Sequence, residues 1–182
     1  MPKYKVPNFG PSGRPETFNV STVNQNYSTT NPTLPLAHPG DLGVVYEEGT
    51  KRWQIFELVD AAIAAAGDVE YVKNYASYQA TPTIGNSSQN EVAGIGEIAS
   101  ATPSATNRVC VALRIGGVMN VKSADATINA RGLRVISDTG SNRVILLAVD
   151  TNTVQTKFKE VGISQAAQAA GFVSVFLTIQ PI

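Results

Sequence analysis

The sequence predicts an all-β, mainly antiparallel fold, with a barrel-like head, one or two short helices and an extended N-terminal arm. From Asp41 onward, short apolar runs of strand length alternate with polar turns, and no long helical segment separates them. This pattern is typical of a sandwich or barrel and not of a βαβ sheet. Before Asp41 the chain is rich in proline, which blocks helix and cannot donate to a sheet. We therefore divide the chain into an arm at residues 1–40 and a head at residues 41–182.

The arm contains seven of the ten prolines and has too few apolar residues for a core of its own. Aromatic residues nevertheless recur along it, at Tyr4, Phe9, Phe18 and Tyr27. Because buried aromatics dominate interface energies, we interpret these four as candidate contacts with a partner. The alternative is an arm that folds back on its own domain.

The head begins with a predicted hairpin, in which residues 42–46 and 52–58 are joined by the turn Glu48-Gly49-Thr50. Asp60 then caps an alanine-rich segment at residues 61–66, which Gly67 ends, so one or two helical turns are expected there. The remaining strand candidates are residues 69–75, 92–98, 109–115, 118–122, 132–137, 143–149, 154–163 and 172–179. Gly116-Gly117 is expected to turn two of them into a hairpin.

One short motif is repeated, in which a polar residue leads to small residues, then glycine, then a strand. Residues 60–71 align with residues 164–175, so that Gly67 matches Gly171, and a weaker copy surrounds Gly132. Glycine tolerates positive φ and can release the chain from a turn into a strand. We expect a repeated corner within one barrel-like domain.

The sequence offers few groups for chemistry. His38 is the sole histidine, and Cys110 lies in a strand context, where a free cysteine packs as a small apolar residue. Gly94-x-Gly96-x-x-Ala resembles a dinucleotide-binding fingerprint, but this motif must be followed by a helix, which Pro103 prevents. We therefore favour a strand or bulge that contains the two glycines. We predict no catalytic, cofactor-binding or metal-binding residues and no enzymatic activity.

Two other sets of residues have a functional and a structural interpretation. Asp68 and Glu70 share one face of a strand and could cleave a glycosidic bond as a carboxylate pair, although a solvated strand face is favoured. A sugar-binding surface is possible for five aromatic residues, but core packing is preferred. These five are Trp53, Phe56, Tyr71, Tyr75 and Tyr78.

Composition excludes several partners. Basic and acidic residues are equal in number and only 15% of the chain is charged, which argues against nucleic-acid binding and against electrostatic membrane binding. No apolar run approaches the roughly 20 residues of a membrane span, and no signal peptide is expected. The single cysteine excludes an intramolecular disulfide and fits synthesis in a reducing cytoplasm.

Several segments of the head resemble a known family. These are residues 90–95, 108–113, 117–122, 132–136 and 161–177, the last containing Gly-Ile, an alanine-rich stretch and Gly-x-Val-x-Val-x-Leu. Their order is similar to that in the small decoration (cement) proteins of tailed-bacteriophage heads, which have a barrel-like β-tulip fold. The resemblance implies a homotrimer on the major capsid protein, with an arm that ties capsid subunits together. It also implies a location on the capsid surface of the virion after synthesis in the host bacterial cytoplasm.

The sequence therefore predicts a structural protein that binds and stabilises a phage capsid. A receptor- or carbohydrate-binding module of a phage fibre or spike is the alternative. A glycoside hydrolase that uses Asp68 or Glu70 ranks third.

Overall fold

The chain is all-β, as the sequence predicts. A computed structural model describes residues 3–9, 15–19, 26–28, 39–40, 42–44, 51–83, 91–105, 107–138, 140–147 and 159–182. Their strands are β1 (Lys3–Phe9), β2 (Pro15–Asn19), β3 (Asn26–Ser28), β4 (Leu42–Val44), β5 (Arg52–Leu58), β6 (Val69–Asn74), β7 (Gln79–Thr81), β8 (Val92–Gly96), β9 (Asn107–Lys122), β10 (Arg134–Ser137), β11 (Val144–Leu146), β12 (Glu160–Ser164) and β13 (Phe172–Thr178). β4 and β5 pair antiparallel, which confirms that the first two predicted strands of the head are partners.

Five strands close into the predicted barrel. The ring runs from β9 through β5, β7, β6 and β8 back to β9, and only the β5–β7 pair is parallel. Each of the five strands contributes to one apolar cluster, which is centred on Phe56, Leu58, Val111 and Leu113. Burial of this cluster is the main favourable contribution to folding of this half.

A second half is built on the other end of β9. Here β9 pairs with β13, β13 with β12, β12 with β10 and β10 with β11, all antiparallel. Val144 of β11 then forms a parallel bridge with Ser123, directly after β9. A separate core that includes Val121, Val135 and Val173 fills this half.

The expected hairpin at Gly116-Gly117 is wrong, because both glycines lie inside the continuous strand β9. Gly116 pairs with Arg52 of β5 and also with Thr178 of β13, so β9 passes from the first half to the second at this point. Gly117 has a φ of 84°, and a Cβ on Gly116 would lie 2.7 Å from Nε of Arg52. The glycine pair therefore supports a bulge and a change of partner strand, not a turn.

Arg114 holds this bulge in place. Its guanidinium lies 4.6 Å from the ring centroid of Trp53, forms an ion pair with Glu97 and donates to the carbonyl of Gly116 at 2.6 Å. The Trp53 indole N–H also donates to Glu97, at 2.6 Å. The buried charge is thus both paired and hydrogen-bonded, as burial of a charge requires.

The repeated glycine corners are confirmed. Gly67, Gly132 and Gly171 have φ values of 88°, 89° and 81°, and each lies one or two residues before the first residue of a strand. The carbonyls of Gly67 and Gly171 accept hydrogen bonds from consecutive amides, those of Lys122 and Ser123. The two corners therefore meet at the end of β9.

The short helix expected at residues 61–66 is wrong, because these residues form bends and a turn without any helical residue. The backbone N–H of Ile63 donates to the hydroxyl of Ser100, and the Ile63 carbonyl accepts from the Ser100 amide. Asp68 accepts the N–H of Ala65. These contacts occupy the backbone groups that a helix would use, and they let the Ile63 side chain pack into the barrel core.

Three strands fall within residues 1–40. β1 pairs with β2 and with β4, and β3 pairs with the beginning of β9, with Asn26 opposite Val109. These are the backbone pairings expected of a segment that folds back on its own domain. The side chains of Tyr4, Phe9, Phe18 and Tyr27 lie outside the described part of the structure, as does His38.

Candidate functional site

Three exposed apolar side chains form a continuous row across the second half. Val118 of β9 lies directly opposite Phe176 of β13, and Phe176 lies directly opposite Ile163 of β12. Their exposed fractions are 49%, 38% and 36%. We call Val118, Phe176 and Ile163 the apolar row. Phe172, which is also exposed, lies four residues from Phe176 on the same face of β13.

The row lies on the outer face of the sheet. In β13, Val173, Val175 and Leu177 are buried in the core, so alternation turns Phe172 and Phe176 outward. The solvent face of a one-sided antiparallel sheet is ordinarily polar. A contiguous apolar patch in this position is typical of a surface that contacts a partner.

Two cations on the strands around the row are already paired. Arg134, which lies directly opposite Ile163, contacts Glu160 at 2.8 Å, and Lys122 contacts Asp68 at 2.6 Å. A partner that covered the row would therefore not leave either cation without a counter-charge. Depletion of free charge together with aromatic enrichment is characteristic of the core of a protein–protein interface.

Asp68 and Glu70 do not form a solvated face, so the favoured interpretation of this pair is wrong. Both residues are buried, and Glu70 has no exposed surface. Asp68 pairs with Lys122, whereas neither carboxyl oxygen of Glu70 has a hydrogen-bond partner among the described residues. The pair therefore presents no accessible carboxylates to a glycosidic bond.

The environment of Glu70 disfavours its charged form. Burial, and to a lesser extent the negative charge of Asp68, raises the pKa of the Glu70 carboxyl well above its ordinary value, although Lys122 opposes the shift. Glu70 lies opposite Gly94 in the barrel wall, and a Cβ on Gly94 would lie 2.6 Å from the Leu113 Cβ. This environment therefore favours the protonated form of the Glu70 carboxyl within the packed wall of the barrel.

The aromatic residues of the head mainly build the core. Trp53, Phe56 and Tyr71 are fully buried, which confirms the core interpretation for them, and the Tyr71 hydroxyl donates to backbone carbonyls. Tyr75 is 44% exposed and Tyr78 is half-buried. These two residues alone of the five keep surface that a sugar ring could contact.

Two further structural interpretations are confirmed. Cys110 is buried in β9. Gly94 and Gly96 lie inside strand β8, where a Cβ on Gly96 would lie 2.7 Å from the Ile63 side chain. Close packing therefore explains both glycines.

The described residues contain neither a candidate metal site nor a membrane-spanning helix. No group of three or more of their His, Cys, Asp or Glu side chains is placed to hold a metal ion. In the same part of the chain, no helix has the length and apolar character needed to cross a membrane.

Comparisons with protein-family models, with curated proteins and with solved structures find no match. The interpretation of the apolar row therefore rests on the geometry of this chain. The sequence does contain one signal for the apolar row. In residues 172–178 the outward positions include Phe172 and Phe176, although a one-sided strand should carry polar residues there.

Proposed function

We propose that the protein is a non-enzymatic structural protein that binds the outer surface of a tailed-phage capsid and stabilises the lattice. The observation that supports this most strongly is the apolar row, since exposed apolar side chains beside an already paired cation suit an apolar strip of the major capsid protein. The resemblance of the head to decoration proteins supplies the identity of that partner. A homotrimer would present three such rows to the lattice.

The mechanism follows from mass action. A protein that binds only the assembled lattice shifts the equilibrium towards assembly. Several weak contacts made together from one oligomer strengthen binding by orders of magnitude without any new type of contact. The arm aromatics Tyr4, Phe9, Phe18 and Tyr27 remain candidate second contacts.

The row is tested by replacing Val118, Phe176 and Ile163 together with threonine, a polar β-branched residue that strands favour. We expect co-sedimentation with undecorated capsids of the parent phage to weaken at least tenfold, because the apolar contact is lost. We expect the free energy of unfolding to change by about 1 kcal/mol or less, because the three side chains are exposed. Urea denaturation checks the second expectation.

The matched control replaces Leu42 and Ile98, which are both 37% exposed and lie outside the row, with threonine. This variant should pellet like the unaltered protein. A further variant distinguishes the contribution of the arm to capsid binding from that of the row. It carries serine at Tyr4, Phe9, Phe18 and Tyr27. Undiminished pelleting of the row variant would exclude the row as the contact, and no pelleting of the unaltered protein would contradict the capsid proposal. Light scattering would show whether the row joins copies of this chain instead.

A further inference from the structure

A cleft of about 370 Å³ lies where the two halves meet. The beginnings of β8, β10 and β12 and the end of β13 all reach it. Its lining includes Glu91, Val92, Arg134, Glu160, Thr178 and Ile179. Its volume falls in the range of small-molecule sites, and a few convergent polar groups beside apolar side chains are characteristic of such sites.

The cleft carries an excess of negative charge. Two carboxylates, Glu91 and Glu160, face one guanidinium, that of Arg134. Oε2 of Glu160 contacts Arg134 at 2.8 Å, and Oε2 of Glu91 accepts a hydrogen bond from the hydroxyl of Tyr75. Burial and the bond to Glu91 raise the pKa of Tyr75 to about 12, so this phenol stays a donor at neutral pH. A carboxylate has about four acceptor positions, so each of these two groups can accept further hydrogen bonds.

A third acceptor lies in the same lining. The hydroxyl oxygen of Thr178 is buried and has no hydrogen-bond partner among the described residues. A buried polar atom without a partner is costly, and in native structures it usually has a ligand or water to satisfy it. The Val92 and Ile179 side chains are almost completely buried and supply the apolar part of the lining.

We propose that this cleft binds an alkylammonium or alkylguanidinium group. The alkyl stem would pack on Val92 and Ile179, and the cationic head would donate to Glu91 and Glu160. A cation is favoured over an anion because the two carboxylates outnumber the single guanidinium, which already contacts Glu160. The inference goes beyond the proposed function and does not depend on it.

The direct test is methyl NMR of the full-length protein, observing Val92 and Ile179 during titration with Nα-acetyl-lysine methylamide. We expect saturable shifts with a dissociation constant in the low millimolar range, about what a ligand of roughly a dozen non-hydrogen atoms reaches. The norleucine analogue, which has the stem without the charge, should bind at least tenfold more weakly. Absence of saturable shifts, or equal affinity for the norleucine analogue, would overturn the proposal.

Variants locate the contact. Glu160→Gln and Glu91→Gln should each weaken binding of the lysine derivative about fivefold to tenfold, because each removes one charged acceptor. Glu57→Gln is the matched control, since Glu57 also pairs with an arginine, Arg108, and lines a different cleft of about 200 Å³. It should leave the affinity unchanged. A control variant that weakens binding as much as Glu160→Gln would mean nonspecific charge attraction and would refute the site.

The same cation could come from a free amine or from a basic side chain of a protein. Cadaverine, a diamine without a peptide backbone, separates these sources when it is titrated beside the lysine derivative. Tighter binding of cadaverine supports the cationic cleft with a free amine as its ligand. Tighter binding of the lysine derivative supports it with a protein side chain as its ligand.

Discussion

Gly162→Ala is expected to destabilise the protein by about 3 kcal/mol or more, which is characteristic of severe overpacking in a core. A Cβ at this position would lie 2.1 Å from the carbonyl oxygen of Phe176 and 2.9 Å from Cγ1 of Val175. Gly162 pairs with Leu177 on one side and with Val135 on the other. Because β12 is held between two strands, it cannot move away from the clash without breaking a ladder.

Two other glycines provide graded controls for this prediction. Gly171→Ala should cost about 1–2 kcal/mol, because its φ of 81° disfavours alanine although nothing lies within 4 Å of the new Cβ. Gly140→Ala should change stability by about 0.5 kcal/mol or less, since its φ is not positive and its nearest neighbour is 3.9 Å away. Urea denaturation with linear extrapolation measures all three. A loss for Gly162→Ala no larger than that for Gly140→Ala would refute the packing around β12.

Glu70 is expected to make the protein less stable as the pH rises. Its pKa in the folded state is raised above the ordinary value of 4.5, so above about pH 4.5 the folded state keeps a proton that the unfolded state releases. Folding stability then falls by about 1.4 kcal/mol for each pH unit, until the folded-state pKa is reached. Glu70→Gln keeps the size of the side chain and cannot ionise. The free energy of unfolding of this variant, minus that of the unaltered protein, should therefore grow with pH.

Glu57 provides a control, because its effect on folding stability should depend on pH in the opposite direction. The hydrogen bond from Arg108 lowers the pKa of the Glu57 carboxyl, against a smaller effect of burial. Its contribution to stability is present above the unfolded pKa and is lost as the pH falls through the folded pKa. Glu57→Gln should thus be destabilising near neutral pH and without effect in acid. Urea titrations from about pH 2 to pH 9 compare the two variants. A pH-independent difference for Glu70→Gln would show that Glu70 is not a buried acid with a raised pKa.

Local sequence was sufficient to predict structural features that depend only on neighbouring residues. The glycine corners at Gly67, Gly132 and Gly171 follow from small residues that precede a strand, and their positive φ values agree. The Gly116-Gly117 pair shows the limit of such reasoning, because the same dipeptide suits a hairpin turn or a bulge. What decides between them is the pairing of Gly116 with Arg52 and Thr178, and these partners are distant in the sequence.

The candidate site shows the same limit. Asp68 and Glu70 alternate with apolar residues and so suggest a strand with one solvent-exposed face. Both faces of β6 are nevertheless buried, because Val72 packs in the barrel core and Val69 and Tyr71 pack in the core of the second half. Burial of Glu70 depends on strands that come later in the chain. The apolar row depends on the registers of three separate strands, which bring Val118, Phe176 and Ile163 side by side. Composition indicates an apolar surface but cannot show that these three residues share it.

The shared strand β9 has a consequence for how the molecule folds. Its first part pairs with β5 and its last part with β13, so each half is completed only when a distant segment has reached β9. Such non-local pairings carry a large loop-closure entropy and slow folding, to milliseconds or seconds for comparable β domains. Neither half can open fully while the other keeps β9 in its sheet. The central amides of β9 should therefore exchange with deuterium only when the whole domain unfolds, and should be among the slowest in the molecule.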